Sequence, residues 1–535
     1  MYRKDYSKYR NLKFWREKRI GEYVKEWRAS YGERIAVVDS CHEVSYGQLD
    51  AASDHVKELF KEKGLKSGDK VIFQMPGGVG FTVIFFALMK IGAVPVMMLP
   101  ANRKNEIVNI ADKAKPAAYI AYDKYMGFDY ENMADEIKKE SRIGEVILFN
   151  DEKIRIILEK DEGVMSAEKD GSDRTENADT TALLLLSGGT TGVPKLIPRT
   201  HADYMYNAKI SADKCRLDKE SITLIALPAA HNFSLACPGI LGTLSVGGKV
   251  VFAESPSPMD ILDNVQKFRV THLALVPSLA KLIADVIGWS GVDAESLRVL
   301  QVGGAYLEPA LAREIMDKIP GKLMQVFGTA EGLLCFTNLD DSDEVIISSQ
   351  GRPVSEADEV RIVDENGYDA EDGKEGELIA RGPYTIDGYY ESEEVNKNCF
   401  TEDGFYRTGD KAKFVFGDRL RICGRVREQI NKCGEKIMPS EIEDALCENQ
   451  DISDAAVVGI SDPETGSKIC AFITCDKGKD IKLIEIKKYL KMKGFAAYKM
   501  PDMLIVESKL PLTKMGKIDK EELKKKAERF NYAEV

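Results

Sequence analysis

The chain has few of the devices that hold metals, nucleic acids or membranes. Its ten cysteines form no CxxC pair, and Cys470 and Cys475 stand at the wrong spacing for a zinc knuckle. The five histidines (His42, His55, His201, His231 and His272) show no HxH or HxxxH spacing, so a histidine metal site has no support. Lys and Arg number 75 against 87 Asp and Glu, a formal net charge of −12, whereas a general nucleic-acid binder needs a surplus of cations. An anionic small molecule stays open, because it needs only a local cluster of donors. The basic N-terminus, MYRKDYSKYRNLKFWREKR, has no apolar stretch behind it and is not a secretory signal. The most membrane-like segment, 79–99, is interrupted by Lys90, Gly92 and Pro95; it reads as a buried helix followed by a buried strand. The expectation is a cytoplasmic protein with reduced thiols and with neither nucleic acid nor membrane as a partner.

What remains is an ordinary globular composition, 44% hydrophobic and 30% charged, in a chain of 535 residues that is too long for one compact core. Short β-branched and apolar runs recur between amphipathic segments: KVIFQM (70–75), VPVMML (94–99), AAYIAY (117–122), EVILF (145–149), TALLLL (181–186), LIALP (224–228), KVVFA (249–253) and HLALVP (272–277). Helix-like stretches such as 53–63 and 278–286 lie between them, and the alternation implies an α/β fold of mainly parallel sheets covered by helices. The polar stretch 161–180 reads as a surface loop or linker. From 351 to 424 the texture changes to short alternating strands with Gly and Asp turns, an antiparallel β subdomain. Beyond it lies a smaller α+β unit: a helix near Ser440 with a Ser440–Glu443 capping box, strands at AAVVGI and CAFITC, a Lys-rich helix over 482–493 and a strand at MLIVES. These readings divide the chain into a core domain, 1–426, with 351–426 mainly β, and a mobile C-terminal domain, 427–535.

The most informative string is LLLLSGGTTGVPKLIPRTH (183–201), in which a buried strand ends in a loop of glycines, hydroxyls and one lysine. Glycine lets several backbone N–H groups turn toward one point, Ser187, Thr190 and Thr191 add donors, and Lys195 adds positive charge. The composition suits a phosphate cradle or a plain loop, and it is not a Walker A loop, because the GxxxxGK[ST] spacing is absent.

The full string resembles the adenylate-forming superfamily of acyl-AMP ligases, luciferases and nonribosomal adenylation domains. Further segments match that family in order: LPAAHNFSLACPG (227–239), GGA (303–305), QVFGTAEG (325–332), GFYRTGD (404–410), GRVREQINKCGEKIMPSEIE (424–443) and PLTKMGKIDK (511–520). SGGTTGVPKLIPRTH, LPAAHN and RGPYTIDGYY (381–390) carry a nearer likeness to the stand-alone 2,3-dihydroxybenzoate-AMP and salicylate-AMP ligases.

The resemblance implies ATP as substrate, Mg²⁺, and a site made of named residues. Ser187, Gly188, Gly189, Thr190, Thr191, Gly192 and Lys195 would hold phosphates. Gly304, Ala305 and Val326 would line the adenine slot, with Phe327, Gly328, Thr329 and Ala330 also facing the nucleotide. Ala330 stands where the wider family has Thr, a mark of the aryl-acid branch. Glu331 would hold Mg²⁺, a hard cation that prefers carboxylate and phosphate oxygens. Asp410 would accept hydrogen bonds from both ribose hydroxyls, with Arg425 supporting the same sugar. Lys517 would bridge the acid's carboxylate and the α-phosphate, where two anions must meet. Arg427 falls at the family's hinge, commonly Lys or Asp, about which the small domain would rotate to present the loop around Gly434 to a thiol. Lys436 follows on that loop and would meet a phosphate, and Arg427 too is expected among the nucleotide-binding residues. Cys433 stands where the aryl-acid branch often has Gly, which with Arg427 leaves details of the thiol step open.

The acid would lie against His231, Asn232, Phe233, Cys237, Gly304 and Leu334, with His231 at the carboxylate end and Asn232 at a 2-hydroxyl. Dihydroxybenzoate enzymes tend to carry Ser at the position of Cys237 and Val at that of Leu334; both positions here look salicylate-like. Losing a hydroxyl and gaining volume removes the partner and the room for a 3-hydroxyl, worth roughly 1–3 kcal/mol of preference. The expected acceptor is the phosphopantetheine thiol of a separate aryl carrier protein, as in siderophore-type nonribosomal biosynthesis, because no carrier domain follows Lys517. An aryl-CoA ligase is the alternative. A non-catalytic acyl-AMP binding protein is the remote one, since such a protein is expected to lose Lys517 or Glu331, and both are present.

Overall fold

The structure is a computed structural model that describes residues 6–141, 143–160, 177–187, 194–425, 429–475, 481–511 and 518–533. The chain divides into two compact units, one of residues 1–100, 113–186 and 196–424, the other of 101–112, 187–195 and 425–535.

The first unit is built on two large, mostly parallel sheets. In one, six strands run in the order Leu196–Thr200, Thr181–Leu186, Val94–Met97, Lys70–Gln74, Ala118–Tyr122 and Glu145–Phe149, and only the first pairs antiparallel. In the other, Lys322–Thr329, Val299–Gly303, His272–Leu275, Ile222–Ile225, Lys249–Phe252 and Ile35–Val38 are mutually parallel neighbours. Antiparallel strands close both edges, Leu333–Phe336 and Arg352–Pro353 on one side and Glu43–Ser45 on the other. Near-continuous apolar strands of this kind must be covered on both faces, so helices flank them. A four-stranded antiparallel sheet, Glu359–Val363, Gly376–Arg381, Tyr406–Val415 and Arg419–Arg425, accounts for the change of texture after 351.

The 79–99 segment folds as expected, into the helix Val79–Ile91 and the strand Val94–Met97. Its start is fixed by Asp39, whose carboxylate accepts from Val79 N at 2.8 Å, and its end by Gly92 at φ +80°, a left-handed stop. Among the described residues no helix is long and apolar enough to cross a membrane. None of the ten cysteines is in a disulfide. The helix expected over 53–63 begins earlier, spanning Tyr46–Glu62, because Ser45 and Gln48 form a reciprocal capping box.

The second unit packs an antiparallel pair, Ile452–Asp462 and Gly466–Cys475, with the parallel strand Met503–Glu507. The helices Pro439–Cys447, Leu483–Met492 and Lys520–Ala533 also belong to this unit, and its core includes Leu446, Val457, Ile473 and Leu490. One expectation fails here. The helix near Ser440 starts at Pro439 with Met438 as its N-cap, so Ser440 is already inside the first turn and is not at the N-cap position that a capping box requires. Proline at the first helical position fixes the start, since its ring presets φ and its missing N–H is not needed there. Glu443 instead accepts from Val457 N at 2.6 Å and pairs with Lys520 at 2.8 Å.

Candidate active site

In parallel sheets, ligands bind beyond the carboxyl ends of the strands. Three segments singled out in the sequence emerge there in the first unit: residues 226–231 after Ile222–Ile225, Gly304 and Ala305 after Val299–Gly303, and Ala330 and Glu331 after Lys322–Thr329. Two glycines let this region close up. A Cβ on Gly328 would come within 2.5 Å of the Leu334 side chain. Gly332 sits at φ +115°, and a Cβ there would lie 1.9 Å from the Tyr384 carbonyl oxygen.

His231 caps the short helix Asn232–Ala236, its Nδ1 accepting from Phe233 N at 3.2 Å. Phe233, Cys237, Val326 and Leu334 share one buried cluster with Tyr206 and Tyr384. Asn232 is buried; its Oδ1 accepts from the Tyr204 hydroxyl at 2.9 Å, and its Nδ2 donates to Cys237 Sγ at 3.4 Å. Burial pushes the Cys237 thiol up to about 12, so it is neutral at physiological pH. A cavity of about 10 Å³ beneath this segment, lined by Leu227, Phe233, His272, Ala274 and Gln301, has room for about one water.

The buried amide Asn232 is tied to a residue that sequence reasoning did not single out. Arg199, fully buried at the edge of the six-stranded sheet, donates to Asp203 Oδ1 at 2.8 Å, Asn207 Oδ1 at 3.3 Å and the Ala330 carbonyl at 3.1 Å. Its guanidinium lies 4.8 Å from the centre of the Tyr204 ring. Asp203 serves twice, since its other oxygen accepts from Thr200 N at 2.7 Å and completes the capping box of the helix His201–Lys214. Asn207 Nδ2 in turn donates to the Ala236 carbonyl at 2.7 Å and reaches Cys237 Sγ at 3.7 Å.

Glu331 lies in a second cluster. It is 7% exposed, and its Oε1 accepts from the Tyr389 hydroxyl at 2.8 Å; Tyr389 also reaches the Tyr406 hydroxyl at 3.4 Å. Burial and the adjacent Glu331 carboxylate raise both phenols above their usual range, and Asp410 adds to the effect at Tyr406. Glu331 Oε2 has no hydrogen-bond partner among the described residues, so one carboxylate oxygen is left for a hard cation. No cluster of three or more His, Cys, Asp or Glu side chains placed to hold a metal exists among the described residues. Asp410 is buried, its N–H donating to Thr408 Oγ1 at 3.1 Å.

In the second unit, Ser187 and Lys195 close a loop on each other, Ser187 N donating to the Lys195 carbonyl at 3.0 Å and Lys195 N to Ser187 Oγ at 3.2 Å. Gly434 and Cys433 form the turn between the strands Ile430–Lys432 and Glu435–Ile437, with Lys436 on the second strand. Both turn residues are left-handed, Gly434 at φ +84° and Cys433 at φ +52°, so this backbone favours glycine at either position. Gly188, Gly189, Thr190, Thr191, Gly192, Arg427 and Lys517 lie outside the described residues, as does the side chain of Arg425.

The AMP-binding enzyme family matches residues 24–390, and the C-terminal domain of AMP-binding enzymes matches 441–517. The chain is 40% identical over 517 residues to a 2,3-dihydroxybenzoate-AMP ligase of Bacillus subtilis, covering 96% of this chain and 95% of the relative. It is also 40% identical over 527 residues to a salicyl-AMP ligase / salicyl-S-ArCP synthetase of Mycobacterium tuberculosis, covering 96% and 92%. The apo structure of MbtA from Mycobacterium smegmatis superposes with a TM-score of 0.73 at 37% identity, covering 97% of both chains. This chain therefore belongs to the family of AMP-binding, adenylate-forming enzymes, on its aryl-acid AMP ligase branch.

Proposed function

We propose that the protein activates an aromatic acid, with salicylate preferred over 2,3-dihydroxybenzoate, and passes the aryl group to the phosphopantetheine thiol of a separate aryl carrier protein. In the first step a carboxylate oxygen of the acid attacks the α-phosphorus of ATP, and the bond to pyrophosphate breaks. In the second, the thiol sulfur attacks the acyl carbon and AMP leaves. Mg²⁺ bound with ATP would neutralise phosphate charge beside Glu331. Lys517 would offset the repulsion of the two reacting anions, and the loop around Gly434 would meet the thiol after rotation about Arg427. The name of the Mycobacterium tuberculosis relative, salicyl-AMP ligase / salicyl-S-ArCP synthetase, supports both steps of this reading, and that of the Bacillus subtilis 2,3-dihydroxybenzoate-AMP ligase supports the first.

One observation carries the choice of acid. A buried amide, Asn232, sits against a neutral thiol, Cys237, in a cluster with the apolar Phe233, Val326 and Leu334, and two phenols of that cluster, Tyr206 and Tyr384, have their hydroxyls engaged with Ser355 and Asp358. Such a cluster offers a polar contact for one ortho substituent, and these two phenols offer no uncommitted hydroxyl for a second. ATP–pyrophosphate exchange over a panel of aryl, fatty and amino acids tests it: exchange with salicylate should exceed that with 2,3-dihydroxybenzoate, and the reverse order overturns the acid assignment. Lys517→Ala should abolish exchange, whereas Gly434→Leu should leave exchange intact and block acyl transfer; equal loss of both steps in the second variant overturns the domain rotation. Faster transfer to free CoA than to a carrier protein would make the enzyme an aryl-CoA ligase.

A further inference from the structure

The buried cluster around Asn232 has a hydrogen-bond polarity that restricts which ortho substituent the acid can carry. This rests on the reading above, in which Asn232 meets that substituent. Tyr204 is completely buried, and among the described residues its hydroxyl has one hydrogen-bond partner, the Asn232 side chain. A phenol has one proton to donate, and burying that proton without an acceptor is costly. Burial also keeps this phenol protonated. Were the amide turned the other way, Nδ2 would donate to the Tyr204 oxygen and the phenol proton would have no acceptor. The Tyr204 hydroxyl therefore fixes Oδ1 toward itself and Nδ2 away from it.

The neighbouring amide is fixed by the same logic. Arg199 has no acceptor, so Asn207 must turn Oδ1 to it, and its Nδ2 then faces the Ala236 carbonyl and Cys237. Both amides thus donate toward Cys237 Sγ, and Asn232 presents N–H groups on the side away from Tyr204.

We propose that Tyr204 is a specificity-determining positioning residue: it sets Asn232 as a hydrogen-bond donor, so the enzyme takes benzoates whose ortho substituent accepts a hydrogen bond and rejects 2-aminobenzoate. The oxygen of salicylate, its hydroxyl proton already shared with the adjacent carboxylate, accepts from Nδ2. The amino group of 2-aminobenzoate has its lone pair drawn into the ring and offers only N–H, donor against donor.

The test is kcat/KM for ATP–pyrophosphate exchange with salicylate, 2-aminobenzoate and benzoate, in the wild-type protein and in Tyr204→Phe. The wild type should favour salicylate over 2-aminobenzoate by at least about 100-fold. In Tyr204→Phe the amide is free to turn, and that ratio should fall at least about tenfold while activity with benzoate, which has no ortho group, stays within about threefold. A ratio unchanged in Tyr204→Phe, or a wild type that uses 2-aminobenzoate as well as salicylate, overturns the proposal and leaves aryl-acid activation standing. A wild type inert toward every benzoate overturns both. If Tyr204→Phe does not fold, Asn232→Asp, which puts an acceptor where the donor was, should shift the preference toward 2-aminobenzoate; no such shift also overturns it.

Discussion

Two buried polar clusters of the first unit, one around Asn232 and one around Glu331, are built on opposite terms. The two hydrogen bonds of the Asn232 side chain are to neutral groups, and the charged pair behind it, Arg199 with Asp203, is compensated within the protein. Around Glu331 a buried carboxylate meets only phenols, and one of its oxygens has no protein partner among the described residues. The first arrangement is anchored within the protein and leaves an Asn232 N–H to read shape and donor–acceptor polarity. The second leaves one carboxylate oxygen without a hydrogen bond from the described residues, the kind of hard oxygen that a cation brought in with the nucleotide would take. The carbonyl of Ala330, next to Glu331, accepts from Arg199, so the two clusters share a strut.

Arg199→Leu tests the strut most severely. It leaves Asp203, 3% exposed, without its counter-charge, and should destabilise the fold by about 3–5 kcal/mol. Denaturant unfolding monitored in parallel with Asn207→Leu, which removes no charge and should cost less, separates the ion pair from the amide. Glu331→Gln keeps the shape of the second cluster and removes its charge; exchange should fall by about 100-fold with little change in KM for the acid. An equal effect on that KM would mean the clusters are not separable. Cys237→Ser with Leu334→Val adds a hydroxyl and space to the first cluster, and should raise kcat/KM for 2,3-dihydroxybenzoate relative to salicylate by roughly tenfold.

The most gradual effect is on stability with pH. His201 is buried beside the Ile20 N–H, which donates to its Nδ1 at 3.1 Å, and burial lowers its pKa from 6.5 to about 3. His272 is lowered to about 4 for the same reason. Both fold neutral and take up a proton more readily when unfolded, so their contribution is full above pH 6.5 and is lost as pH falls. Each should cost about 1.4 kcal/mol per pH unit below 6.5, until the folded value is reached. A thermal midpoint constant between pH 7 and 5 would contradict this.

The sequence made the scaffold readable because apolar strands and glycine turns carry their own local signals. The helix–strand reading of 79–99 and the antiparallel texture after 351 rest on such signals, and both are seen. The terminal helix Lys520–Ala533 was missed because, among the described residues, only its Leu523 and Ala527, one turn apart, are in core contact. Arg199, Tyr204 and Asn207 were missed for a different reason. Their roles depend on the helix His201–Lys214 lying against Asn232–Ala236, a contact no local pattern announces. The available signal was weak: polar residues at 203, 204 and 207 occupy one face of a helix that is buried over most of its length. The Ser440 capping box failed because the motif ignored the proline one residue earlier.

Gly332 draws these threads to a single atom. Its carbonyl takes the Thr385 hydroxyl at 2.9 Å, while Ile386 N donates to the Glu331 carbonyl at 2.8 Å, so the chain leading to Tyr389 is laced directly onto the turn that holds Glu331. A methyl group at 332 would stand inside the Tyr384 carbonyl, and both laces would have to loosen together. The aim of the carboxylate and the seat of its phenol are thus one mechanical quantity, set by a hydrogen atom where every other amino acid carries carbon.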